Sequence, residues 1–132
     1  MEVEWAAVCQ TFSEDDDLGV TITGVGAMTS QPLPLPVLVE VPIAISLLGL
    51  NEAHVVENVY FAVTGPSGKI SERGKFPFLV ENTDIPPEMR NRKIVEVRCR
   101  FLAPVAGIYR LGFAAEGQKT PVVVDFYVDG SG

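Results

Sequence analysis

Apolar residues recur at every second position through much of this chain, in stretches separated by turn residues. In Ile94–Ala103, for example, Val95, Val97, Cys99 and Phe101 alternate with Glu96, Arg98 and Arg100. Successive side chains of an extended strand point to opposite faces, so this period marks a strand with one face buried. The same reading predicts strands at Glu2–Phe12, Gly19–Met28, Val37–Leu48, Val55–Thr64, Lys69–Val80, Ile108–Ala115 and Pro121–Val128. In the first of these, Val3, Trp5, Ala7 and Cys9 fall on one face. The Lys69–Val80 strand is expected to bend or bulge near Gly74 and Pro77. "GPSGK", "PVAG" and "EGQK" are turns by their Gly and Pro content, and "SQPLPLP" is an extended connector. Only Leu47–Ala53 and Pro86–Arg92 leave room for a short helix.

About eight strands at this spacing predict an all-β fold, a single antiparallel immunoglobulin-like β-sandwich over residues 1–132. A β-barrel is the alternative. The shared phase of alternation puts Trp5, Val59, Phe61, Val97, Phe101, Leu111, Phe113, Val124 and Phe126 in one core. "PVAGIYRLGF" supports the sandwich. A Pro/Gly turn leading into Tyr-x-Leu resembles the strand entry of many immunoglobulin-like domains, where the tyrosine hydroxyl bonds the backbone of the turn. Tyr109 as a plain core aromatic is the competing reading.

Beyond that motif, "VTITGVGAMT", "VLVEVP", "NVYFAVTGPSGK" and "PVAGIYRLGF" followed by "VVVDFYV" span nearly the whole chain. Together they resemble a family of short bacterial proteins known only as a domain of unknown function. The resemblance implies a single β-sandwich and brings no chemistry with it. The charged "PPEMRNRK" departs from the Gly/Pro-rich loop usual at that point in the family.

Composition narrows the classes of function. A hydrophobic share of 47% with 20% charged residues suits a globular core and argues against disorder. A net charge of −7 disfavours nucleic acid and anionic membranes as partners. "MEVEWAAV" has no basic segment of a secretory leader, and the apolar run from Val37 to Leu50 is broken by Glu40 and Pro42, too short to span a bilayer. A cytoplasmic protein is expected, with Cys9 and Cys99 reduced, inward-facing and inert. A disulfide between them would need their Cα atoms at about 5.5–6 Å.

No nucleophile elbow, phosphate loop, paired-histidine zinc motif or CxxC occurs, and the "GVG" at 24–26 has no helix after it. His54 is the single histidine, and a lone histidine beside a turn is more often a surface or capping residue. No catalytic, cofactor-binding or metal residue is therefore assigned. The expectation is a protein that is no enzyme and holds no cofactor.

"SEDDDLG" is the strongest counter-signal. If the strands simply alternate up and down, one end of the sandwich gathers Asp15, Asp16 and Asp17 with Glu52, Glu81, Asp84 and Glu88. Calcium takes about six to eight oxygens, and converging acidic loops are one way to supply them. Against this, consecutive aspartates point different ways and lack Asp-x-Asp spacing. A solvated turn is the preferred reading; a metal site at Asp15, Asp16, Asp17 and Asp84 is the weaker one.

Two surface features point to binding. Arg98 and Arg100 face outward on one strand and Arg110 on the next, a basic strip suited to an acidic partner surface. The competing reading is cross-strand pairing with Glu96 and its neighbours. Within Val37–Leu50, the odd positions 37, 39, 41 and 43 share a phase that Leu38 and Leu48 do not. Those two leucines must meet something other than the main core: the loop at 81–93, or a second copy in a homodimer. The sequence thus leads to a non-enzymatic protein–protein interaction or assembly module, with a protein partner or itself. The alternatives are a calcium- or ligand-binding module and an enzyme subunit completed by a partner.

Overall fold

Alternation becomes nine strands in the computed structural model, which describes residues 1–15, 19–26, 34–49, 55–80 and 92–130. They are β1 (Glu2–Val8), β2 (Thr11–Asp15), β3 (Gly19–Thr23), β4 (Val37–Leu48), β5 (Val55–Thr64), β6 (Ile70–Val80), β7 (Arg92–Ala103), β8 (Gly107–Ala115) and β9 (Val122–Val128). None of the described residues is helical; Leu47, Leu48 and Arg92, from the two stretches that left room for a helix, lie in strands.

Three antiparallel sheets result: β1-β4-β7, β6-β5-β8-β9, and a β2–β3 hairpin. None closes on itself, so the fold is a sandwich and not a barrel. The inner faces of the three- and four-stranded sheets meet in one core that contains Ile43, Ile45, Phe101, Val59, Leu111 and Phe113. Complete burial of such side chains stabilises by roughly 1.5–3 kcal/mol each. Phe61 is half-buried against this core and stacks on Phe76, their ring centroids 4.9 Å apart.

The "PVAG" turn behaves as the immunoglobulin-like reading expects. Tyr109 is buried beside Phe101, and its hydroxyl donates to the Val105 carbonyl at 2.7 Å. Gly107 holds φ at +142°, and a Cβ there would stand 2.7 Å from Pro66. Only glycine suits both the angle and the contact.

Three departures from strict alternation shape the molecule. The first is a bulge in β1. Val3 pairs with Leu47 and Trp5 with Ser46, which leaves Glu4 as the extra residue. Past the bulge the phase reverses, so Ala6 and Val8 turn inward opposite Ile45 and Ile43. Trp5 and Ala7 turn outward, and Trp5 is half-buried outside the core, contrary to the sequence expectation.

The second is Pro42, in the middle of a central strand. Cys9 N–H donates to the Pro42 carbonyl at 3.1 Å, but Pro42 has no N–H to return. The β1–β4 ladder ends there, and the chain leaves as the hairpin, held by Gln10 N–H to Thr23 O and Gly26 N–H to Val8 O.

The third lies in β6. Pairing with β5 runs unbroken through Gly74 and Pro77, and the irregularity falls instead opposite Val63 and Thr64. Pro77 is tolerated because β6 is an edge strand. Gly74 is required because the Phe61 ring covers it; a Cβ would fall 2.4 Å from that ring.

Candidate interaction surfaces

The registers place the strand ends relative to one another. Glu2 and Arg92 both lie opposite Leu48, so β1 and β7 begin where β4 finishes. Gln118, in the β8–β9 turn, hydrogen-bonds the Val3 backbone at that same end. The hairpin leaves from the far end of β1. Pro42 thus marks the point where the hairpin departs from the three-stranded sheet. Asp16, Asp17, Asp84 and His54, and the side chain of Asp15, lie outside the described residues. Among the described residues no three His, Cys, Asp or Glu side chains converge.

The outward face of the three-stranded sheet has two halves. In the first, Leu38 and Leu102 sit directly opposite each other, 66% and 56% exposed. Glu40, next along, accepts from Arg98 at 3.1 Å and from Arg100 at 2.9 Å, and Glu96 adds a second acceptor for Arg98. The hydrogen bond from Arg98, with Arg100 beside it, holds the Glu40 carboxyl below its ordinary value. Arg98 and Arg100 are thus part of a balanced cross-strand network, not a bare basic strip.

In the second half, Ala44, Ser46 and Leu48 face away from the core yet are buried. Leu48 is only 7% exposed, so it cannot join Leu38 in one contact surface. Trp5 and Ile94 flank Ser46 by register, and the bulge aims Glu4 at the same spot. Glu4 accepts from Ser46 Oγ at 3.3 Å and from Arg92 at 2.7 Å.

The cysteines are both buried and free. Cys99 lies in the core, where burial pushes its thiol up to about 12. Cys9 follows the reversed phase of β1 to the outward face beside Pro42, and burial, with Glu96 adding to it, pushes its thiol up. The two thiols lie on opposite faces of one sheet, so the geometry offers them no disulfide.

The four-stranded sheet carries a different outward face. Arg110 is here, on the other side of the molecule from Arg98 and Arg100, and pairs with Asp125 at 3.4 Å. Its neighbours are apolar and exposed: Tyr60, Ile70, Ile108, Val123 and Tyr127. Between them Ala62, Gly112 and Ala114 form a low floor, and the depression over it measures about 630 Å³. Arg73 and Lys75 stand on β6 opposite Ala62 and Tyr60, with no ion pair among the described residues. The sequence signal for this face was present in the even positions of β5 and the outward positions of β8 and β9.

No family model matches the chain, and no curated protein matches it.

Proposed function

We propose that the protein is a non-enzymatic, cytoplasmic protein–protein interaction or assembly module. The observation that carries this reading is the exposed apolar content of both outward faces: Leu38 with Leu102 on one, Tyr60 with Val123 and Tyr127 on the other. A solvated sheet fills such positions with polar residues, and contiguous exposed apolar surface marks contact sites on soluble proteins. Free cysteines suit a reducing compartment. Among the described residues no helix is long and apolar enough to cross a membrane.

The test compares wild type with two surface variants, Leu38→Lys with Leu102→Lys and Tyr60→Lys with Val123→Lys. Each must keep a near-wild-type melting temperature. Sedimentation of the pure proteins reads self-association, and cross-linking in the source cells reads other partners. One variant is expected to lose a specific contact, to itself or to another protein. Identical sedimentation as a monomer and identical cross-links for all three proteins would overturn the reading.

A further inference from the structure

The outward face of β6-β5-β8-β9 combines two properties that the outward face of β1-β4-β7 does not, among the described residues. It is apolar and hollow at its centre, and its charge is opposite to that of the whole. On its outward register positions Arg73, Lys75 and Arg110 face a single carboxylate, Asp125, in a chain of net charge −7. Arg110 is occupied by Asp125, which leaves Arg73 and Lys75 as the cations without an ion pair among the described residues. They stand on the edge strand, beside Tyr60 and above the low floor of Ala62 and Gly112. That floor is open: a Cβ built on Gly112 meets nothing nearer than Pro121 at 3.8 Å.

We infer that this face docks an acidic segment of a partner protein, one in which carboxylates alternate with aliphatic side chains. The inference rests on the interaction-module reading and names the partner's chemistry. Apolar side chains of the segment enter the hollow and displace water from Ala62, Gly112 and Val123, the term that supplies affinity. Carboxylates at its border meet Arg73 and Lys75, which set orientation and speed encounter. Charge also selects against wrong partners. The chain's own negative field repels acidic polymers that lack the apolar half, and nucleic acid brings dense negative charge without side chains to fill the hollow.

The probe is a fluorescein-labelled synthetic peptide of alternating glutamate and valine, capped by glycines. Its controls are the lysine–valine peptide, polyglutamate and single-stranded polyuridylate. Fluorescence anisotropy at low and at physiological salt reads binding. The glutamate–valine peptide is expected to bind, and to weaken several-fold as salt rises. Arg73→Glu with Lys75→Glu should weaken it more than tenfold. Gly112→Leu, which fills the hollow and leaves every charge in place, should also weaken it more than tenfold. Leu38→Lys, on the opposite sheet, should leave it unchanged, and all variants should melt near wild type. Equal binding of the lysine–valine peptide, tighter binding of polyuridylate, no binding of the glutamate–valine peptide, or indifference to both face variants would each overturn the inference. If the peptide fails while Tyr60→Lys with Val123→Lys still loses a partner in cells, the interaction reading stands and the acidic partner falls.

Discussion

Gln118 pairs with Val3 as one strand pairs with another. Val3 N–H donates to Gln118 Oε1 at 2.8 Å, and Gln118 Nε2 donates back to the Val3 carbonyl at 3.1 Å. The same Oε1 accepts from Ala115 N–H at 3.0 Å. One amide thus joins the edge of the three-stranded sheet to the last turn of the four-stranded one. Gln118→Ala leaves both Val3 groups without their partner and should cost about 1–3 kcal/mol. Urea denaturation checks this: the midpoint should fall and the slope should stay. Gln118→Glu keeps the acceptors and loses the donor, so its midpoint should lie between the two.

Tyr109 and Gly107 serve one turn by different means, and their variants should separate. Tyr109→Phe removes only the hydroxyl bond to Val105 and should cost about 0.5–1.5 kcal/mol, a loss of a few degrees in a thermal melt. Gly107→Ala meets both the positive φ and Pro66, so its melting temperature should fall further.

Deleting a residue from a strand normally throws every later side chain onto the wrong face. Glu4 is the exception, because it is the extra residue of the bulge between the Val3–Leu47 and Trp5–Ser46 pairs. A chain lacking Glu4 should keep Trp5 outward and Val8 inward, and should fold with a loss of about 1–3 kcal/mol from the lost bond to buried Ser46. The single tryptophan supplies the readout: its emission and its quenching by acrylamide should match wild type. A chain lacking Ala7, which is paired with Ala44, should lose cooperative unfolding.

These contrasts show what the sequence could and could not say. Val37–Leu48 and Val55–Thr64 were legible to the residue, because both are long runs of β-branched and apolar residues, the first bounded by Pro36 and Gly49 and the second stopped by Gly65 and Pro66. Tyr109 was legible because Pro, Gly and Tyr carry the turn's chemistry in their own covalent structure. Trp5 was misplaced because a bulge is a property of two strands, and the extra residue appears only once Ser46 is known to lie opposite Trp5. Pro42 was visible, but which neighbour its missing hydrogen faces depends on register. The basic strip divides between two sheets for the same kind of reason. Arg100 and Arg110 are near in sequence, yet the turn between them carries the chain from one sheet to the other.

Both thiols are held protonated by the fold, which gives stability a defined dependence on pH. The Cys99 value rises from 9.0 to about 12, so below pH 9 the folded and unfolded chains both keep that proton. Between those values only the unfolded chain releases it, and stability falls as pH rises. Cys9 shifts in the same direction. Cys99→Ala, less stable throughout because of the cavity it leaves, should show a shallower decline across that window in urea midpoints. At neutral pH a thiol reagent should label the native protein slowly and recover two thiols in denaturant, the number in the sequence.

The missing hydrogen on Pro42 reaches further than the end of one ladder. No residue of β2 or β3 whose side chain is described is fully buried, and among the described residues few main-chain bonds outside the hairpin's own ladder tie it down. Local opening free energies follow such differences in burial and bonding. Hydrogen exchange is therefore expected to divide the protein in two: amides of the central strands β4, β5 and β8 should exchange slowest, and those of β2 and β3 should exchange first. A substitution at exposed Ser13 should accordingly leave the melting temperature of the sandwich near wild type.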